Sequence, residues 1–130
     1  MKRILFFLMI AFFSAVACQS QDKTNKMASD AKHEVLSVSD FKTRIADGDV
    51  QLVDVRTPKE FEEGSIGNAL NINYQAEDFA AKIQDLDKNK PVYIFCRSGV
   101  RSGKAAKVME GLGFNKVYDL QGGYLAWPQK

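Results

Sequence analysis

The sequence predicts an α/β domain built on a mostly parallel central sheet flanked by helices. Two observations carry that reading. Short apolar, β-branched runs such as "VQLVDV" and "PVYIF" alternate with segments whose apolar residues recur every three or four positions. Strands alternating with amphipathic helices imply helical crossovers between parallel strands. A third observation bounds the answer: 130 residues hold one ordinary domain, with no internal repeat and no low-complexity tract.

The opening, "MKRILFFLMIAFFSAVACQSQ", stands apart from this pattern. Lys2 and Arg3 form a basic start, Ile4 to Phe13 a short apolar core, and small residues lead to Cys18. That layout is an export signal over residues 1–17, since a membrane span needs about 20 apolar residues. "AVAC" resembles the processing site of bacterial lipoproteins, with Ala15 where leucine is usual. Lipidation of Cys18 is favoured over plain secretion, which places the protein in the periplasm or cell envelope on a lipid anchor. Residues 18–33 then read as the anchor cysteine and a polar tether with His33 at its end, and residues 34–130 as the domain.

Processing also removes Lys2 and Arg3 from the 18 basic residues and leaves 16 against 16 acidic ones. A balanced charge gives no bulk attraction to nucleic acid or to anionic lipid.

Within the domain, "HEVLSVSDFKTRIADG" predicts a short strand and then a helix started by Ser39 or Asp40 and ended near Gly48. "VQLVDV", from Val50 to Val55, is a buried strand. In "TPKEFEEG", Thr57 is the N-cap, Pro58 takes the first helical position and Glu60 completes a capping box. "ALNIN" is a weak strand, and "AEDFAAKIQDL" aligns Phe79, Ile83 and Leu86 on one helical face. After "PVYIF", another buried strand, "SGKAAKVMEGLG" aligns Ala105, Val108, Met109 and Leu112. Gly113 is the stop for that helix, "KVYDL" is a further strand, and "GGYLAW" is a terminal helical turn.

The chemistry concentrates in "YIFCRSGVRSGKAAK". Cys96 leaves the carboxyl end of a predicted buried strand and precedes a helix, which is where open parallel sheets bind ligands. If Cys18 is acylated, Cys96 is the single free thiol of an exported domain, where structural cysteines usually pair. Amides in such a turn form an anion-binding nest, and Gly99 permits the geometry. Arg97 and Arg101 supply forks suited to tetrahedral oxyanions. Helix amino ends and nearby cations favour a thiolate, which is the nucleophilic form.

Other chemistries fit less well. A cysteine hydrolase needs a base, and the single histidine, His33, lies beside the tether, where a solvated or satisfied side chain is the ordinary state. Cys96 has no second soft ligand for a metal, and "CRSGVRSGK" lacks the order of a phosphate-binding P-loop. An ionised thiolate attacking sulfur requires no protein base.

"FCRSGVRS" resembles the active-site loop of rhodanese-like sulfurtransferases, "DVRTPKEFEEGSIGNALNIN" their upstream signature, and "GGYLAW" their terminal motif. The three occur in the family's order and span about Glu34 to Lys130, with Ser65 in place of a usual histidine and Gly67-Asn68 in place of a proline-glycine pair. The resemblance implies a single rhodanese-like domain, monomeric and without cofactor or metal, that takes a small sulfur donor such as thiosulfate. It implies that Cys96 removes the outer sulfur, sulfite leaves, and the resulting persulfide passes its sulfur to a thiol or cyanide. The amides of Arg97, Ser98, Gly99, Val100, Arg101 and Ser102 would cradle that persulfide, with Arg97 or Arg101 on the donor's sulfonate end. Asp54 and Arg56 would brace the site, although a strand-end cap and a surface cation are equally open readings of the two. Alternatives are a persulfide carrier fed by a protein, a partner-docking module, and a phosphatase. The last usually has five residues between cysteine and arginine, whereas four separate Cys96 from Arg101.

Overall fold

In a computed structural model that describes residues 32–129, every strand of the domain runs parallel to its neighbours. The proposed signal, Cys18 and most of the tether lie outside the described residues. In chain order the elements are β1 (His33–Leu36), α1 (Val38–Ile45), β2 (Gln51–Asp54), α2 (Pro58–Glu62), β3 (Leu70–Asn71), α3 (Phe79–Ile83), β4 (Val92–Phe95), α4 (Val100–Gly111), β5 (Val117–Leu120) and α5 (Gly123–Ala126). The sheet order is β1-β5-β4-β2-β3, so β4 is central and β1 and β3 are edges.

Local chemistry fixes the helix starts. Ser37 caps α1 by accepting the Asp40 N–H, two residues before the expected start, because its hydroxyl reaches the third helical amide. Thr57 and Glu60 form the expected capping box on α2, with Pro58 in its first turn. β4 is buried at all four positions because both faces of the sheet are covered, which is why "VYIF" is uniformly apolar.

Two apolar layers sandwich the sheet. On one side Val53, Val55, Ile94 and Val117 meet Phe79 and Ile83 of α3 and Ala105, Ala106 and Met109 of α4. On the other, Leu36, Leu52, Tyr93, Phe95 and Leu120 meet Phe41 of α1, with Trp127 packed against them. Alternating side chains on each strand supply both layers. The faces predicted for α3 and α4 are the buried ones, although Leu86, Val108 and Leu112 lie at the margin rather than in the centre. Among the described residues, no helix is long and apolar enough to cross a membrane.

Candidate active site

Cys96 is the first residue past β4, and Gly99 turns the chain from there into α4. Gly99 has φ +102°, a left-handed conformation that a side chain resists, and this turn aims its N–H at the Cys96 Sγ at 3.0 Å. Ser102, in the first turn of α4, brings its Oγ to 3.4 Å from the same sulfur, where either atom can be the donor. The amino end of a 12-residue helix therefore faces the thiol with its partial positive charge. Cys96 is only 1% exposed, and it is a free cysteine. Dipoles arranged in this way can stabilise a sulfur anion without a proton-accepting side chain.

The loop is clasped from outside by α5. Tyr124 N–H donates to the Cys96 carbonyl at 2.8 Å, and Leu125 N–H donates to the Arg97 carbonyl at 3.0 Å. Gly123 makes this approach possible. At φ +64°, a Cβ there would stand 2.5 Å from the Arg97 carbonyl oxygen and 2.6 Å from that of Cys96. The terminal "GG" thus positions the peptide of Cys96.

Asp54 and Arg56 form a buried brace. Arg56 is 3% exposed and Asp54 0%, and the guanidinium grips the carboxylate through Nε at 3.0 Å and Nη2 at 2.7 Å. Arg56 also donates to the Gly64 carbonyl at 2.6 Å and lies over the Tyr124 ring at 4.1 Å. The surface-cation reading of Arg56 is therefore corrected: the Asp54 carboxylate, the Gly64 carbonyl and the Tyr124 ring enclose it. Ser65, in the position where the family signature has histidine, donates its hydroxyl to Asp54 at 2.8 Å. The departure is absorbed into the same network.

Arg101 is committed elsewhere. Its Nη1 and Nη2 reach the two carboxylate oxygens of Glu60 at 2.7 and 2.8 Å. This fork, aided by the Thr57 amide, holds the Glu60 carboxyl at about 2, well below its ordinary 4.5. A depressed carboxyl stabilises the fold above its ordinary range, and that contribution is lost as pH falls toward about 2. Arg101 therefore ties α4 to α2. Arg97 differs: it is exposed, and no described side chain pairs with its guanidinium. Ser98 and Val100 are also exposed around the mouth of the loop.

The chain matches the model of the rhodanese-like domain over residues 37–130. It belongs to the rhodanese-like family. Among curated relatives, a sulfurtransferase of Allochromatium vinosum is 39% identical over 85 residues, covering 65% of this chain and 78% of the relative. The thiosulfate sulfurtransferase GlpE of Shewanella oneidensis is 36% identical over 99 residues, covering 76% and 94%. The family also contains longer proteins. The match to the tRNA uridine(34) hydroxylase of Teredinibacter turnerae, 36% identical, covers 29% of that protein, and the match to the uncharacterised YqhL of Bacillus subtilis, 40% identical, covers 62% of it. Among solved structures, a rhodanese-like domain protein of Staphylococcus aureus superposes with a TM-score of 0.66 at 31% identity, covering 75% of this chain and 93% of that one.

For this rhodanese-like domain, the structure brings Cys96, Gly99 and Ser102 together and joins Asp54 to Arg56 in a buried pair just past β2. His33 is not in the tether. It opens β1, and its ring faces Asp119 of β5 rather than Cys96. Sequence reasoning missed Glu60 as the partner of Arg101, because the two lie 41 residues apart. It also missed Asp119, whose signal was an acidic residue at an inward position of "KVYDL". Among the described residues, no cluster of metal-ligating side chains occurs.

Proposed function

We propose that this protein transfers a sulfane sulfur from thiosulfate or a related anionic donor to a thiophilic acceptor through a persulfide on Cys96. The observation that carries the reading is the thiol at the amino end of α4, receiving the Gly99 N–H at 3.0 Å and followed by Arg97, exposed and without an ion-pair partner among the described residues. The sulfurtransferase names of relatives support it. The Cys96 thiolate attacks the outer sulfur of thiosulfate, a new S–S bond forms, and sulfite departs with the electron pair of the bond that breaks. An acceptor thiolate or cyanide then attacks the outer persulfide sulfur and returns Cys96 as thiolate. The amides at the start of α4 stabilise the sulfur anion at both stages. Arg97 takes the sulfonate oxygens of the donor, since Glu60 occupies Arg101.

Mass spectrometry after treatment with thiosulfate tests this directly. One added sulfur on the Cys96 peptide is expected, and its absence at high donor concentration overturns the reading. Arg97→Ala should raise the thiosulfate needed by about 10-fold or more, the worth of a hydrogen bond to a charged group. Lys107→Ala, on the exposed side of α4, should leave it unchanged.

We further propose that Cys18 carries a lipid that holds the domain at a membrane of the cell envelope. Full-length protein should sediment with membranes and require detergent, whereas Cys18→Ser should be released or left unprocessed with sulfur transfer intact. An unmodified amino terminus on soluble wild-type protein would rule out the anchor.

A further inference from the structure

The strand register places an acidic residue in the same layer as the nucleophile. Asp119 of β5 stands opposite Ile94 of β4, and Ile94 and Cys96, two residues apart, share a face. That face belongs to the layer of Ile94, Cys96, Val117, Ala105 and Met109. Asp119, two residues after Val117, therefore enters this layer close to Ser102. Asp119 is 3% exposed and Ser102 0%.

The polar atoms here are under-satisfied. The Oδ1 of Asp119 is buried without a hydrogen-bond partner, and so is the Nε2 of His33. His33 Nε2 stands 3.6 Å from Asp119 Oδ2, and Ser102 Oγ stands 3.4 Å from Cys96 Sγ. Buried polar groups left open in this way are costly, and a buried charge among them more so. A proton on the Asp119 carboxyl removes that charge. Burial pushes the Asp119 carboxyl up, with the Ser102 hydroxyl, His33 and the Leu120 amide acting in the opposite direction.

Ser102 has a single hydroxyl proton. Facing a carboxylate, it donates to Asp119 and offers only lone pairs to the sulfur. Facing a protonated carboxyl, it accepts from Asp119, and its own proton is free to donate to a sulfur anion. His33, at the outer end of the row on the edge strand, favours the carboxylate and so opposes that arrangement. Among the described residues of the elements packed here, β4 presents Cys96, β1 presents His33, and α4 presents the uncharged Ser102. On α4, Lys104 and Lys107 are exposed and Arg101 is turned to Glu60.

We propose that Asp119 is a positioning residue for the sulfur chemistry, setting through its proton whether the Ser102 hydroxyl donates to Cys96, with His33 biasing that proton. The proposal rests on Cys96 being the nucleophile, but it can be read without any sulfur transfer. In full-length protein, the rate of iodoacetamide alkylation at the Cys96 peptide is followed against pH by mass spectrometry. Asp119→Asn, whose amide donates at every pH, should lower the midpoint by about half a pH unit or more. His33→Leu should lower it too, and the two changes together should not add. Ser102→Ala should raise the midpoint and abolish the response to the other two. Midpoints indifferent to these changes overturn the proposal. So does a rise in His33→Leu, which is what loss of a nearby positive charge alone would produce. Should Asp119→Asn fail to fold, His33→Leu and Ser102→Ala decide between them. Persulfide formation with unmoved midpoints would discard the relay and keep the enzyme, whereas shifted midpoints without persulfide would do the reverse.

Discussion

Cys96→Ser is expected to reduce thiocyanate formation from thiosulfate and cyanide to the uncatalysed background, a loss on the order of 10⁴-fold or more for a missing nucleophile. The serine hydroxyl can still accept the Gly99 N–H that now meets the sulfur at 3.0 Å, so the loop keeps its shape. It cannot replace the thiolate, because an alkoxide is not formed at neutral pH and oxygen is a poor partner for sulfane sulfur. Thermal unfolding should therefore move little while turnover vanishes. Residual turnover near the wild-type level would remove Cys96 from the centre of the reaction.

The second large effect is on stability. Arg56→Met should destabilise the domain by about 3–5 kcal/mol, because it leaves the Asp54 carboxylate in the interior without its cation. At roughly 4–8 °C per kcal/mol for a domain of this size, the midpoint should fall by more than about 12 °C. The Gly64 carbonyl and the Tyr124 ring lose their partner as well. Replacing both residues, Arg56→Met with Asp54→Leu, should recover part of the loss, since no lone charge then remains. Denaturant melts of the three proteins measure this. A single variant within about 1 kcal/mol of wild type would show that the pair braces nothing.

What could be foreseen from the residues follows the range of the interactions. The capping box of Thr57 and Glu60 was legible because its members lie three positions apart on one turn. The same Glu60 also holds Arg101, and no local pattern announces a partner from another helix. Cys96 was legible from an apolar strand running into a glycine-containing turn. The duty of Arg101 was not, since a fork suited to a sulfonate is equally suited to a carboxylate. For Arg56, the enclosure comes from Tyr124, 68 positions further along the chain, and only the fold brings the two together. His33 looked like the end of a polar stretch because β1 is short and pairs at the sheet's edge, where a strand's pattern is weakest.

The strand order has a consequence for the history of each molecule. β1 leaves the ribosome before the other strands, yet its partner in the sheet is β5, which is made after them. Meanwhile β2 and β4, with α3 and α4 to cover them, can associate. Until β5 arrives, the backbone of β1 has no strand to pair with. Long-range parallel pairing of this kind is slow and leaves an unpaired strand and its apolar side chains available to wrong partners. The first strand synthesised is thus the last to find its place, and nascent chains stalled short of Val117 should be the ones that aggregate.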